Sequence, residues 1–408
     1  MKLPFNLSDK LSWFKGDRIL WIVLIFLSIA SLLIIYSATG SLAWRTRGGN
    51  TLYYVIKHLL FMGGGFAAML VMINLIPVRI YSHWSPLFWL GGIALLGVGF
   101  GLALKNGGTG RTIDIGPIGF QPSEVAKLTT VMFVAKLLSI NQKTKQLRKR
   151  AFWQIIIITG ITCGIIFLSD FSTAAILGSA IFCMMIVGHI PFKFLIGTVG
   201  AGVIVLALLI ATADHLPKKI GRIQTMKGRI ERYIGGGSED ETKKEEGFSQ
   251  NDFGQLAIYK GGVLGVGPGN SEVSNYMAAA YNDFIFAIFI EEYGIVGGIV
   301  LLMLYLIFLY RGGIIVKNCN RTFPAFLVVG LTFMFVGQAM INMGVATSLL
   351  PNTGQPLPWV SMGGTSSLFT AVGIGCILSV SAQNQKNKQA IALIEAKASD
   401  IPQEDEEL

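Results

Sequence analysis

Charged residues are scarce in this chain of 408 residues, and their scarcity excludes a soluble globular protein. Asp, Glu, Lys and Arg make up only 14% of the sequence, whereas hydrophobic residues make up 52%. The mean hydropathy is +0.59. A soluble domain carries about 25% charged residues, which keep its surface wetted. The composition therefore predicts a membrane protein.

Cysteine is also sparse, with four residues in the whole chain. Cys163, Cys183 and Cys376 lie inside apolar runs, and Cys319 lies in a short basic segment. This spacing matches neither a disulfide framework nor a set of metal ligands. We therefore predict no metal site from the cysteines.

The formal net charge of +10 does not indicate nucleic-acid binding, because the Lys and Arg residues fall mainly in short segments between apolar runs. Basic residues in such segments set the topology of a membrane protein. A protein that binds nucleic acid instead gathers them on one face or along one helix. No nucleic-acid partner is expected.

Long apolar runs define the predicted fold, because a helix needs about 20 apolar residues to cross a hydrocarbon core of about 30 Å. An all-α, polytopic membrane protein with ten transmembrane helices is predicted. The ten runs cover approximately residues 18–38, 54–76, 85–104, 121–139, 152–169, 171–190, 192–212, 283–310, 324–347 and 364–382. An even number of spans places both termini on the same side.

The distribution of basic residues predicts which side that is, since Lys and Arg in short loops stay in the cytoplasm. Arg45 and Arg47 are exceptions in the first external loop. The residues on the side of the termini are Lys10, Lys15, Arg18, Lys143, Lys145, Arg148, Lys149, Arg150, Arg311, Lys317, Arg321, Lys386 and Lys388. Both termini are therefore predicted to lie in the cytoplasm.

Three parts of the chain follow from this topology. Residues 1–17 form a cytoplasmic segment without a small-residue cleavage site, so the first apolar run is expected to be retained. Residues 18–385 form the membrane domain. Residues 386–408 are predicted to be a disordered cytoplasmic tail, ending in the acidic sequence IPQEDEEL.

A long connection, residues 213–282, joins the seventh and eighth runs on the predicted extracytoplasmic side. Connections of this length are usually functional. A Gly-rich break at 235–237 separates a basic cluster from an acidic patch that suits a solvated segment. The basic cluster, which is suited to binding phosphate, consists of Lys218, Lys219, Arg222, Lys227, Arg229 and Arg232.

Polar residues next to the apolar runs are candidates for function, because a charge in the membrane costs about 2.5 to 3.5 kcal/mol on insertion scales. The fourth run begins with QPSEVAK, in which Glu124 and Lys127 are three residues apart and share a helix face. A local ion pair and a binding role fit this pair equally well. Arg111 and Asp114 lie in the external loop just before it.

Two aspartates lie where a helix is expected to begin. Asp170, between the fifth and sixth runs, suits a helix N-cap, and we favour that role over a binding role. Asp283 stands where the long loop enters the eighth run, and Glu291 and Glu292 follow in apolar sequence. Eight residues of continuous helix, about 12 Å, would place these glutamates well below the surface. For Asp283 a functional role is slightly favoured over capping.

The glycine-rich stretch Gly261–Ser271 has neither a preceding strand nor a GK[ST] ending, so a nucleotide site is not indicated. Close approach of its backbone to membrane or substrate is the better interpretation. Gln338 and Asn342, four residues apart on one helix face, suit either hydrogen bonds between helices or a polar site. The segment 351–367 cannot be regular helix, which predicts a polar cavity or protein packing around it.

In their order along residues 18–385, these motifs resemble the SEDS family, the FtsW, RodA and SpoVE proteins. The wording YNDFIFAIFIEEYG favours an FtsW-type member. The matching residues are Arg111, Gln121–Glu124, Lys127, Asp170, Thr173, Gln255, Ala257, Ile258, Gly261, Gly262, Gly265, Gly267, Gly269, Ser271, Asp283, Phe284, Phe286, Ala287, Glu291, Glu292, Gly294 and Leu350–Ser366.

The resemblance implies a peptidoglycan glycosyltransferase in the inner membrane of a bacterial cell. Its substrate is lipid II, a disaccharide-pentapeptide on undecaprenyl pyrophosphate, which it polymerises through β-1,4 bonds at the outer face of that membrane. It implies Asp283 as the catalytic base. The substrate-binding candidates are Arg111, Glu124, Lys127, Asp170, Arg229, Arg232, Gln255, Ser271, Gln338, Asn342 and Ser361. Arg111, Lys127, Arg229 and Arg232 are the candidates for stabilising the pyrophosphate, a task that a divalent cation, Mg²⁺ or Mn²⁺, would share.

The sequence departs from the family pattern just before Asp283. The usual Pro-Glu-x-His is replaced here by MAAAY, residues 277–281, so no Glu or His at those positions assists the aspartate. The expected partners are a class B penicillin-binding protein and other cell-division proteins. The alternatives are an elongation-type RodA polymerase, a lipid II flippase and a non-catalytic scaffold; no internal repeat of the kind that transporters carry is apparent.

Overall fold

The computed structural model describes residues 13–106, 112–115, 118–211, 228, 250–277 and 280–399. Most of the predicted loop 213–282 lies outside the described residues. Three predicted substrate-binding residues, Arg111, Arg229 and Arg232, lie outside them as well.

The described residues form twelve α-helices, a 3₁₀ turn at Val273–Asn275 and one short hairpin. The helices are α1 (Arg18–Ala38), α2 (Gly40–Arg47), α3 (Thr51–Asn74), α4 (Val78–Asn106), α5 (Pro122–Ile140), α6 (Lys145–Ser169), α7 (Phe171–Val187), α8 (Phe192–Ala211), α9 (Gln250–Gly261), α10 (Ile285–Lys317), α11 (Thr322–Ala346) and α12 (Thr365–Ser399). The predicted all-α class is confirmed.

Seven helices in the described part of the chain are long and apolar enough to cross a membrane, judged by length and composition: α1, α3, α4, α6, α10, α11 and α12. The apolar helices α7 and α8 qualify only as shorter segments. Helix α5 has 19 residues and carries Glu124 near its start. Each of the ten predicted runs falls on one of these helices, and a span by every one of them stays a prediction.

Helix α10 differs from the predicted eighth span, because it is interrupted at Gly294, where φ is 69° and ψ is −178°. Two amides of the 262–267 segment donate to the carbonyl oxygens of Glu291 and Glu292, at 2.9 and 3.0 Å. Both glutamates precede the break, on the helical part that begins at Ile285, and their backbone contacts the loop; their depth in the membrane stays a prediction. The part after the break, Ile295–Lys317, is about 34 Å long and suffices to cross a membrane by itself.

Helix α12 continues past the predicted domain boundary at residue 385 and ends at Ser399. Residues 386–399 include four Ala and three Lys, which have high helix propensity. The predicted disordered tail is therefore helical from 386 to 399, which corrects that expectation. Residues 400–408 lie outside the described residues.

The loop between α4 and α5 contains the hairpin, in which β1 (Ile113–Ile115) pairs antiparallel with β2 (Ile118–Phe120). The hairpin lies against the start of α12, where the Thr365 hydroxyl donates to the carbonyl oxygen of Gly119 at 2.7 Å. Helix α11 packs against α5, α7, α10 and α12. Polar side chains on α11 therefore reach several neighbouring helices.

Candidate active site

Residues 347–364, the connector, join α11 to α12 without regular helix. Trp359 has a φ of 69°, which is unusual for a side chain of its size. Side chains of neighbouring helices provide hydrogen-bond donors for the backbone of the connector. Ser31 on α1 donates to the carbonyl oxygen of Val360 at 2.7 Å, and Tyr305 on α10 donates to that of Pro358 at 2.6 Å. The structure confirms non-helical backbone packed against protein.

The turn that carries Asp283 is held from two sides. The Asn342 amide on α11 donates to the carbonyl oxygen of Asp283 at 2.9 Å and to that of Gln355 at 2.8 Å. The Ser361 hydroxyl on the connector donates to the carbonyl oxygen of Asn282 at 2.7 Å. Asn342 and Ser361 are both buried. Two predicted site residues therefore fix the backbone of a third.

Asp283 itself is half-buried and does not cap α10. The N-cap position is Phe284, and no side chain makes a cap hydrogen bond there. The capping alternative, which the sequence left open, is therefore not what the structure has. A carboxylate that is partly exposed on a fixed turn can accept a proton from a bound hydroxyl group.

Tyr281, two residues before Asp283, takes the place where the family pattern has other polar residues. Burial raises the pKa of the Tyr281 phenol above its ordinary value, and the neighbouring Asp283 carboxylate raises it further. The phenol thus keeps its proton at neutral pH and remains a hydrogen-bond donor. Nothing in the sequence MAAAY distinguished this tyrosine from an apolar filler.

The predicted pair on α5 is an ion pair in the structure, with 2.8 Å between Lys127 Nζ and Glu124 Oε1. Lys127 Nζ also donates to Gln338 Oε1 at 3.3 Å, and Gln338 Nε2 donates to the carbonyl oxygen of Pro356 at 3.0 Å. Lys127 is only 1% exposed. The adjacent cavity is about 20 Å³, room for one or two water molecules and not for a sugar. In this conformation Lys127 supports the connector.

Asp170 caps a helix, the role that the sequence favoured, and it also binds the connector; substrate binding by Asp170 stays a prediction. Its Oδ1 accepts from the Thr173 amide at 3.2 Å and so caps α7. Its two carboxylate oxygens also accept from Gln355 Nε2, at 3.3 and 3.2 Å. Because the carbonyl of Gln355 accepts from Asn342, a continuous set of hydrogen bonds links Asp170 to the turn of Asp283.

Among the described residues, no hydrogen bond joins Ser271 or Gln255 to Asp283. The Ser271 hydroxyl donates to the buried Glu291 carboxylate at 2.5 Å, which also accepts from the amides of Glu272 and Val273 at 3.2 Å each. Gln255 lies on the exposed face of α9. Ser271 therefore anchors the loop to α10, and substrate binding by Gln255 stays a prediction.

The glycine-rich stretch brings backbone close to backbone, as predicted, but its neighbour is α10 rather than a substrate. A Cβ on Gly261 would lie 2.1 Å from the carbonyl oxygen of Ile290, and one on Gly265 would lie 2.2 Å from that of Glu292. Gly265 also has a φ of 84°. Only glycine fits at these contacts.

Two residues that stabilise the connector by hydrogen bonds, one within it and one outside it, were not singled out from the sequence. Gln355 bridges Asp170 and Asn342, and the buried His58 on α3 shares a 2.7 Å hydrogen bond with the Ser31 hydroxyl. The available signal was a polar side chain inside otherwise apolar or Pro-rich sequence. Among the described residues, no group of three or more His, Cys, Asp or Glu side chains is arranged to hold a metal ion.

Comparisons with known proteins place this arrangement in a family. The family model of the FtsW, RodA and SpoVE proteins, described as "Cell cycle protein", matches residues 17–386. A "Probable peptidoglycan glycosyltransferase FtsW" from Coxiella burnetii is 28% identical over 376 residues, which cover 90% of this chain and 96% of the relative. The "Stage V sporulation protein E" of Bacillus subtilis is 31% identical over 378 residues, with the same coverages of 90% and 96%.

Two solved structures share the fold. A chain from "Structural coordination of polymerization and crosslinking by a peptidoglycan synthase complex" has a TM-score of 0.69 at 23% identity, covering 90% of this chain and 98% of the solved one. The "Rod shape determining protein RodA" of Thermus thermophilus has a TM-score of 0.62 at 23% identity, covering 91% and 98%. The chain belongs to the SEDS family of FtsW, RodA and SpoVE proteins.

Proposed function

We propose that this chain is a peptidoglycan glycosyltransferase that polymerises lipid II into β-1,4-linked glycan strands at the outer face of the cytoplasmic membrane. The named activity of its relatives supports the reaction class. The observation that carries the proposal is the position of Asp283, a half-buried residue on a turn that Asn342 and Ser361 hold. Ten spans with both termini in the cytoplasm are part of the proposal.

In the proposed reaction the Asp283 carboxylate takes the proton of the 4-hydroxyl group of the incoming lipid II. The hydroxyl oxygen forms the new bond to the anomeric carbon of the growing strand, and the bond from that carbon to pyrophosphate breaks. Undecaprenyl pyrophosphate leaves with the electron pair. A general base placed in this way contributes about 10² to 10⁴ in rate.

The basic side chains have different roles in the proposal. Lys127 is committed to Glu124 and Gln338, so it acts as a positioning residue for the connector. Arg111, Arg229 and Arg232 remain the proposed contacts of the pyrophosphate, where guanidinium groups would stabilise the developing charge. The described residues do not offer the donor set of a divalent-cation site, so no step of the proposal runs through a metal ion.

The test is consumption of lipid II by the purified chain in liposomes. We expect Asp283→Ala to lose at least about 10²-fold in polymerisation while the protein stays folded and inserted. Asp252→Ala is the matched control, because Asp252 is an exposed carboxylate on the neighbouring α9. Activity of Asp283→Ala at the level of the control would remove Asp283 from the reaction. Translocation of lipid II without polymerisation would favour the flippase instead.

The cellular role and the partner belong to the same proposal. The FtsW name of several relatives supports a role in septal synthesis. The solved synthase complex supports a class B penicillin-binding protein as the partner that cross-links the strand. Depletion of the protein is expected to make cells filament, whereas rounding would indicate an elongation role. Co-purification with the transpeptidase would test the partner.

A further inference from the structure

A second pocket lies at the opposite end of the helix bundle from Asp283. It has a volume of about 380 Å³, within the range of small-molecule sites. Its lining residues are Val78, Arg79, Ser82, His83, Lys136, Arg321, Phe323, Pro324 and Gln383. Lys136 is nine residues beyond Lys127 along α5, about 13 Å. The pocket is therefore separate from the candidate active site.

The lining of this pocket combines several basic side chains with apolar ones. Arg79 and His83 come from α4, Lys136 from α5 and Arg321 from the residue before α11, so four separate positions in the chain converge on one volume. Lys136 Nζ donates to the carbonyl oxygen of His83 at 3.3 Å, which ties two of the lining helices together. None of the described lining residues is acidic.

Setting the topology of the membrane protein does not require this arrangement. A basic residue that only retains a loop in the cytoplasm can lie anywhere in that loop. Here Arg79, Lys136 and Arg321 surround a concave space, together with the Ser82 hydroxyl and the Gln383 amide. Guanidinium and ammonium groups, with neutral donors beside them, match the oxygen atoms of a phosphate group.

We propose that this pocket binds an anionic phosphate group, either the headgroup of an acidic phospholipid in the adjacent leaflet or a soluble phosphate compound. Both sources present the same chemistry, a phosphate that carries net negative charge. The buried side chains of Val78 and Phe323 provide an apolar wall next to the charges. The proposal does not depend on the reaction at Asp283.

The experiment uses the full chain in nanodiscs and two probes. For the lipid source, native mass spectrometry measures retention of phosphatidylglycerol over phosphatidylcholine. For the soluble source, thermal unfolding is measured in phosphatidylcholine nanodiscs with inorganic phosphate against chloride at equal ionic strength. The pocket variant is the triple substitution Arg79→Gln, Lys136→Gln and Arg321→Gln. Binding is expected to weaken about fivefold for each cation removed.

The matched control removes the same charge at the same end of the bundle but away from the pocket. It is the triple substitution Lys145→Gln, Lys149→Gln and Arg150→Gln, three exposed residues at the start of α6. Arg79→Gln alone serves as a milder pocket variant, because Arg79 is exposed and does not contribute to the core.

Selective loss of phosphatidylglycerol in the pocket variants, with retention in wild type and control, would support the lipid source. Selective loss of the stabilisation by phosphate would support the soluble source. The proposal is overturned if control and pocket variants lose binding equally, or if wild type neither prefers phosphatidylglycerol nor responds to phosphate.

Discussion

Replacing Asn342 by Leu tests whether the turn of Asp283 is held by α11. Leu has the same branched arrangement of four side-chain heavy atoms as Asn, with bulkier methyl groups, but removes both amide hydrogen bonds, to the carbonyl oxygens of Asp283 and Gln355. Hydrogen bonds of this kind contribute about 0.5 to 1.5 kcal/mol each, so we expect a loss of about 1 to 3 kcal/mol. Because Asn342 is fully buried, water cannot replace the lost donors.

The same substitution should also lower activity. A shift of about 1 Å in a reacting group costs about 10²-fold in rate. We therefore expect Asn342→Leu to lower the turnover of lipid II by about that factor, with the protein still inserted. Initial rates of polymerisation and thermal unfolding in the same detergent measure the two effects separately.

Ser139→Ala is the control, because the hydroxyl of Ser139 on α5 makes a 2.7 Å hydrogen bond with Thr322, at the other end of α11 from Asn342. It should reduce stability slightly and leave turnover unchanged. If Asn342→Leu kept wild-type turnover, or lost no more than Ser139→Ala, the positioning role of Asn342 would be refuted.

Two further predictions concern a buried ion pair and a glycine. Lys127→Met should destabilise the protein by about 3 to 5 kcal/mol, because Glu124 would keep a buried charge without a partner. The double variant with Glu124→Gln should recover most of that loss. Thermal unfolding of the two single variants and the double variant measures the coupling energy between the two residues. If the stability losses of the two single variants simply added in the double variant, this prediction would be contradicted. Gly294→Ala should prevent stable assembly, since a Cβ there would lie 2.1 Å from the carbonyl oxygen of Val263. Gly160→Ala, with open space around it, should be tolerated, and monodispersity after purification distinguishes the two.

Local patterns were sufficient for several features. Hydropathy located the apolar helices because burial in lipid depends on the composition of each run. The three-residue spacing of Glu124 and Lys127 predicted a shared face, and the structure has them in contact. Asp170 was expected to cap a helix, and it does so through Thr173. Each of these depends on residues within one or two turns of each other.

Contacts between distant parts of the chain were out of reach of the same reasoning. Asn342 meets the turn of Asp283 across 59 positions of sequence, and Gln355 meets Asp170 across 185. The hydrophobic periodicity and the secondary-structure propensity of a segment carry no information about contacts between such distant residues. The continuation of α12 to Ser399 was also missed, since polarity was taken for disorder although the residues favour helix.

The interruption at Gly294 also constrains the order in which the chain assembles. The amides of Ile295 and Val296 donate to the carbonyl oxygens of Gly262 and Val263, so the first turn after the interruption depends on a segment made earlier in synthesis. If that segment is absent, these amides have no helical partners at the membrane boundary. The glycine-rich loop thus supplies the carbonyl groups that the first turn after the interruption needs to complete its hydrogen bonds.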